Sequence, residues 1–458
     1  MSLAGSSASD PVRIVGAGLA GCEAAWQIAN AGIPVLLIDM KPGRLTPAHH
    51  SPLLGELVCS NSLKAMRLTS ASGLLKEEMR AFGSLVLEAA AVAQVPAGGS
   101  LAVDRELFSA HITRKLSGHP LIRMEERMVE EVPAAGIRIV ATGPLTQGRM
   151  FQSIGETLGA QVLHFFDAAA PIVEADSIDR NRVFAQSRYG RGGDDYLNCP
   201  MDREQYECFW HALVEAEVAE VEDFDRKAVF ESCMPIETMA ARGIDTIRFG
   251  PMKPVGLVDP ATGKQPHAVV QLRQDDVSAS LFSLVGFQTR LRHPEQKRVF
   301  SMIPGLENAS FVRYGVMHRN TYIASPGILS DTLEASGHPG LFFAGQMTGV
   351  EGYVESAATG LVAGLQAARK VRREPPLTFS ARTMTGALLR YVSEKRSRRF
   401  QPMNANYGIL EPLEGRYKIK EERYQAMAER SLREIKDTVD LLGWSTGAVE
   451  RQMDTDLV

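Results

Sequence analysis

Cysteine is scarce in this chain: five in 458 residues, at positions 22, 59, 199, 208 and 233, with no CxxC pair among them. That excludes a disulfide framework, and no set of four ligands at zinc-site spacing is visible, so no metal is expected. An excess of either charge is also missing. The formal net charge is -4, which excludes a strongly basic nucleic-acid coat. No apolar run reaches the ~18 residues that a membrane span requires. Residues 1–10 are small and polar, with neither a basic start nor an apolar stretch, so a secretory signal is not expected. A reducing cytoplasm is the expected compartment. Internal repeats are absent, and there is no second GxGxxG to announce a separate nicotinamide domain.

What is present is globular. A hydrophobic fraction of 45% and a charged fraction of 23% fit a water-soluble protein of two or three domains. Val12 to Val15 forms a short β-prone run that ends in Gly16-Ala17-Gly18-Leu19-Ala20-Gly21. An Ala-rich helical stretch follows to Asn30, Gly32 supplies a stop, and Val35 to Ile38 predicts a second strand ending at Asp39. Asp39 falls 18 residues after Gly21, close to the ~20 of a dinucleotide-binding unit. In such a unit Gly16 permits the tight turn, Gly18 admits the pyrophosphate and Gly21 lets helix and strand approach. The helix start offers amides to phosphate, and the acid takes a ribose hydroxyl.

Two later segments predict further strands of the same sheet. Ile137 to Val140 runs into Thr142-Gly143, and Leu341 to Phe343 runs into Gly345 and Gly349. The second leads to a small-residue helix, Val350 to Gly364, beginning at Val350-Glu351. Either turn could border a dinucleotide or be a plain structural corner. The stretch between them is richer in Pro, Arg and aromatic residues. The expected class is therefore α/β: a Rossmann-type FAD-binding domain (11–171 and 323–370) with an inserted α+β domain (172–322) and a helical basic C-terminal segment (371–458). From Arg369 to Arg423 there are 14 Lys and Arg against 6 Asp and Glu, a local excess that can attract phosphate or simply be a solvated helical surface.

Cys22, Cys199 and Cys208 read as packing residues. Cys59, in Glu56-Leu57-Val58-Cys59-Ser60-Asn61-Ser62, and Cys233, in Phe230-Glu231-Ser232-Cys233-Met234-Pro235, lie in polar or turn-rich segments instead. Beside a redox cofactor either could be a nucleophile. A thiol of pKa ~8.5 is only about 3% thiolate at pH 7, so its neighbours would have to activate it.

Longer stretches narrow the choice. VGAGLAG, TPAHH, ELVCSNSLK, GLLKEEMR, VPAGGSLAVDR, ESCMPIETMAARG, RFGPMKPVGL, VVQLRQDD, FFAGQMTGVEGYVESAATG and FQPMNANYGIL follow one another in the order seen in one family. The chain resembles the folate- and FAD-dependent tRNA (uracil-5-)-methyltransferases, the TrmFO family, almost end to end. The resemblance implies transfer of a one-carbon unit from 5,10-methylenetetrahydrofolate to C5 of a T-loop uridine (position 54). FADH2 would reduce methylene to methyl, and NADH or NADPH would recharge the flavin. It implies two catalytic cysteines, matching Cys233 and Cys59: Cys233 at uracil C6 and Cys59 beside the flavin, or the reverse. It also implies Gly16, Ala17, Gly18, Leu19, Ala20, Gly21, Asp39, Thr142, Gly143, Gly345, Gly349 and Glu351 as cofactor-binding residues. The expected partners are tRNA and folate, with no membrane and no obligate protein partner. The same chemistry on a ribosomal RNA uridine is the alternative. Asp39 stands where the family has Glu, Cys22 where it has Ser, and Ser232 where it has Gly.

Overall fold

A computed structural model describes residues 10–46, 48–159, 162–219, 234–395, 400–415 and 417–443. Cys233 lies outside the described residues.

Five parallel strands form the first sheet, in the order Leu341–Phe343, Arg138–Val140, Val12–Val15 (β1), Val35–Asp39 (β2), Ile122–Glu126. β1 is central and nearly all buried, as a parallel strand covered on both faces must be. The expected strand, helix, strand and acid fall at Val12–Val15, Leu19–Asn30 (α1), Val35–Asp39 and Asp39 itself. Gly32 has φ +76° just beyond α1, where a left-handed residue ends the helix.

The small-residue helix is longer than the sequence predicts, running Tyr353–Arg372. Its bare glycines explain its position. A Cβ at Gly360 would fall 2.2 Å from the Ala20 carbonyl oxygen, and one at Gly364 would fall 2.8 Å from that of Ala24. Both contacts advance by four residues, so the two helices run in the same direction. Their N-termini therefore face the same end of the sheet, the end at which the parallel strands finish.

A second sheet of six antiparallel strands carries its own apolar core, including Phe209, Phe287, Phe300 and Val270. Its strands span Ile172–Glu174 to Phe311–Arg313. A two-stranded ribbon, Val162–Ala168 with Met317–Ile323, leads into it and out again. The third small sheet pairs Ser62–Ala65 (β3) with Ser100–Val103.

The helices Met384–Ser393 and Lys420–Asp440 share the main core with α1. Fully buried Glu78 is one tie: its carboxylate accepts from the Met384 amide at 2.7 Å, the Thr385 amide at 2.8 Å and the Ser431 hydroxyl. Burial raises its pKa, and these donors oppose that rise. The basic tract is less free than its composition suggests. Arg369 meets Glu374 at 3.3 Å, Lys370 meets Glu334 at 2.6 Å, and Arg382 meets Glu434 at 3.6 Å.

Lys76 is buried behind β3 and donates to the Leu63 carbonyl at 2.7 Å. Burial lowers its pKa to about 7. The unfolded chain keeps that proton to about pH 10.4, so between these values the unfolded state binds more protons and stability rises with pH. Below pH 7 this contribution is absent. From pH 7 to 9.5 the stability of wild type relative to Lys76→Met should grow by about 3 kcal/mol. Urea melts of both proteins check it, and parallel pH profiles would contradict it.

Candidate functional site

A cavity of about 770 Å³ opens at the carboxyl ends of the parallel strands. This is where open α/β sheets bind ligands, and the volume is that of a cofactor site. Gly16 to Ala20, at the turn into α1, form one wall. Asp39 closes β2 beside them, Thr142 and Gly143 follow the strand Arg138–Val140, and Gly345 follows the strand Leu341–Phe343. Glu351, Gly352 and Tyr353 bring in the start of the long helix, and Cys59 faces the same space.

The glycine turn is shaped for a phosphate. Gly16 has φ +100°, and a Cβ there would lie 2.3 Å from the Ala141 carbonyl oxygen. A Cβ on Gly18 would meet nothing within 4 Å, so its backbone is open to an approaching group. Asp39 accepts the Ala17 amide at 2.6 Å and the Lys41 amide at 2.8 Å. It thereby ties the turn to β2 and keeps carboxylate lone pairs for a ligand hydroxyl. Gly21 and Gly349 do not line the cavity. A Cβ at Gly21 would fall 1.8 Å from the Gly16 carbonyl oxygen, and one at Gly349 would strike the Phe400 ring at 2.3 Å. Their bareness serves close packing. Glu351 is buried and accepts from the Gln346 side chain.

Cys59 sits on a loop before β3 that is clasped from several sides. Its amide donates to the Tyr353 hydroxyl at 2.7 Å, and the Ser60 amide does so at 3.2 Å. Burial, and then the negative charge a Cys59 thiolate brings, raise the Tyr353 pKa well above its ordinary value, so the phenol keeps its proton. Arg105 donates to the Leu57 carbonyl at 2.7 Å and is paired with Asp275 at 3.1 Å. Arg313 donates to the Val58 carbonyl at 3.0 Å. Arg273 bridges Asn61 Oδ1 at 2.8 Å and Ser60 Oγ at 2.9 Å. Three guanidinium groups around one short loop favour anions near it.

Below the loop, Lys41 pairs with Glu56 at 2.7 Å. Burial raises the Glu56 carboxyl, but hydrogen bonds from Lys41 and the His50 amide outweigh it and leave the pKa lowered. Burial, reinforced by Lys41, lowers His49 to about 4, so its cavity-lining ring is neutral at neutral pH.

Tyr353→Phe removes the acceptor for two loop amides. An unpaired buried amide costs roughly 1–3 kcal/mol, and if about 1.4 kcal/mol of this reaches the reacting geometry the rate falls tenfold. Turnover should therefore drop by about that factor while flavin content stays unchanged. A wild-type rate would show that the hydroxyl does not hold the loop.

The described chain resumes after Cys233 at buried Met234. The Ile236 amide donates to the carbonyl of Gln288, a residue of the cavity wall, at 2.7 Å. Glu237, close to Cys233 in sequence, is buried and receives the Thr289 hydroxyl at 2.8 Å. Sequence reasoning missed Tyr353, Arg105, Arg273 and Arg313. One signal for Arg273 was available: it stands with Gln271 in the strand Ala268–Gln274, whose first six residues are all buried. A long cation in such a strand needs a partner. Among the described residues no His, Cys, Asp and Glu cluster could hold a metal ion, and no helix is long and apolar enough to cross a membrane.

The parallel sheet, the glycine turn on α1 and the cavity at the carboxyl ends of the strands define a dinucleotide-binding α/β protein. A structure of Aquifex aeolicus GidA has this fold, with a TM-score of 0.66 at 15% identity, covering 94% of this chain and 73% of that one. The chain belongs to the glucose inhibited division protein A family, whose model matches residues 11–375, and within it to the TrmFO group. It is 56% identical over 430 residues to the methylenetetrahydrofolate–tRNA-(uracil-5-)-methyltransferase TrmFO of Acetivibrio thermocellus, covering 94% of this chain and 99% of the relative. To the protein of the same name in Moorella thermoacetica it is 57% identical over 424 residues, covering 93% and 97%.

Proposed function

We propose that this protein is a tRNA uridine C5-methyltransferase that takes its one-carbon unit from 5,10-methylenetetrahydrofolate and its electrons from FADH2. The observation that carries this is the 56% identity to a relative of that name over 99% of its length. The target is the T-loop uridine at position 54, and NADH or NADPH regenerates the reduced flavin. A ribosomal RNA target draws no support from these relatives, both of which are named for tRNA. The reducing cytoplasm that holds tRNA and folate also suits the lone thiols. We keep residues 172–322 as the inserted domain.

The cavity supports a flavin dinucleotide. The amides of Gly16 to Ala20 at the start of α1 would hold the pyrophosphate, and Asp39 a ribose hydroxyl. Thr142, Gly143, Gly345 and Glu351 would border the rest. When bound, the flavin supplies the hydride equivalent by which a methyl exceeds a methylene. The thiolates do the remaining work. Uracil C5 is a poor nucleophile until a thiolate adds to C6 and makes it carbanion-like, a role we give to Cys233. Cys59, held by Tyr353 among three arginines, would face the flavin and the one-carbon unit.

The deciding experiment incubates purified protein, NADPH and methylene-labelled folate with an unmodified tRNA transcript. Label should appear in 5-methyluridine, in proportion to bound flavin. Protein that carries no flavin and leaves tRNA unlabelled would refute the proposal.

A further inference from the structure

Lys64 has a backbone conformation unusual for its type. Its φ is +64°, in the left-handed region, at the point where β3 slips register against the strand Ser100–Val103. The distortion leaves its side chain on the cavity wall. Nζ meets Glu355 Oε1 at 3.0 Å, and Asn404, with its amide oriented to satisfy both its atoms, presents its oxygen to Nζ at 3.2 Å. The pair is lopsided. The lysine side chain is 38% exposed and the glutamate side chain 0% exposed, so the ammonium fronts the cavity and the carboxylate stands behind it.

The glutamate is itself incompletely used. Oε1 also accepts the Ala405 amide at 3.0 Å, whereas Oε2 is buried with no hydrogen-bond partner. Oε2 and Nζ converge on Gly352, where a Cβ would fall 2.3 Å from the one and 2.7 Å from the other. Gly352, with φ +113°, caps the helix Tyr353–Arg372 and lines the cavity. The ammonium and the positive end of a 20-residue helix therefore meet at one spot. A glycine keeps that spot open, and a buried carboxylate holds the lysine in place. The spot adjoins Tyr353, which holds the Cys59 loop. Lys64, Gly352, Tyr353 and Cys59 line the same cavity, so the part of a bound flavin that reacts beside Cys59 would meet this spot.

We propose that Lys64 raises the reduction potential of the bound flavin by stabilising the negative charge of its reduced ring. The inference rests on the flavin reading above. A hydride from a reduced nicotinamide delivers two electrons and one proton, the oxidised nicotinamide leaves, and the flavin ring gains one net negative charge. A fixed cation and a helix N-terminus against the ring favour that state over the neutral oxidised one. Glu355 is the positioning residue that keeps the ammonium at the helix start.

The test compares wild type, Lys64→Gln and Lys64→Arg. Flavin per protein is counted by absorbance, and each protein is reduced by xanthine and xanthine oxidase against a dye of known potential. At the wild-type midpoint the reduced-to-oxidised ratio in Lys64→Gln should fall at least tenfold, a shift of about 30 mV downward for a two-electron couple. Lys64→Arg, which keeps the charge, should stay within threefold of wild type. A Lys64→Gln protein with full flavin and a wild-type midpoint overturns the proposal. So does one that loses flavin while its remaining loaded fraction keeps the wild-type midpoint, which would make Lys64 a binding residue only. Wild type purified without flavin would overturn the flavin reading itself, and that result is read before any variant is compared.

Discussion

Cys59→Ala and Cys233→Ala proteins, each carrying a full complement of flavin, are expected to methylate tRNA on the order of 10³-fold more slowly than wild type, or not measurably. The size of the effect follows from the chemistry. Without the Cys233 nucleophile at C6, uracil C5 has no carbanion character, and no amount of positioning supplies it; without Cys59 the one-carbon unit loses the thiol that would face it beside the flavin. The two variants should differ in one respect. RNA carrying 5-fluorouridine traps an enzyme that has added to C6, because the C5 substituent cannot leave as a proton. The variant that lacks the C6 nucleophile should form no denaturation-resistant complex, and the other should still form one. Trapping lost in Cys233→Ala and retained in Cys59→Ala assigns the roles as proposed; the opposite pattern exchanges them. Methylation at the wild-type rate by either variant would remove that cysteine from the mechanism.

Gly21→Ala is expected to abolish flavin binding and to destabilise the fold by about 3 kcal/mol, the upper end of the overpacking range. A methyl group there would sit 1.8 Å from the Gly16 carbonyl oxygen and 3.5 Å from the Ala141 side chain. The obstacle is backbone, so α1 would have to lift from β1 and carry the phosphate-facing amides with it. Gly18→Ala gives the contrast. Nothing stands within 4 Å of its would-be Cβ, so stability should hold within about 0.5 kcal/mol while flavin binding weakens, because the methyl enters the ligand's space. Absorbance of the purified proteins and urea melts read both quantities. Wild-type flavin occupancy in Gly21→Ala would refute the packing argument.

Much of this architecture was legible along the chain, for identifiable reasons. The first βαβ unit depends on near neighbours. An apolar run, a glycine turn, a small-residue helix and an acid 18 residues on leave few other folds for residues 12 to 39. The strands Arg138–Val140 and Leu341–Phe343 were visible as apolar runs ending in Gly turns. The helix from Tyr353 was seen short by about two turns: the reading ended it at Gly364, whereas it continues through Gln366-Ala367-Ala368-Arg369-Lys370-Val371-Arg372. In the fold, Gln366 is buried and hydrogen-bonded to the Leu377 carbonyl at 2.6 Å.

The surroundings of Cys59 were not legible, because each contact spans a large sequence distance. Tyr353 is 294 residues from the thiol whose amide it receives, and Arg273 is 213 residues from Ser60. Period, propensity and turn chemistry act over a few residues and say nothing of such pairs. Gly352 shows the same division. From the sequence it was one more glycine inside a helix expected from Val350; in the fold it caps the helix start. Only folding brings Lys64 and Glu355, 291 residues apart, together in front of it. The local chain thus specified a dinucleotide turn and two isolated thiols. Long-range packing specified the charged wall around one of them, because a buried cation is placed by the partners that offset its desolvation, and here those partners come from other parts of the fold.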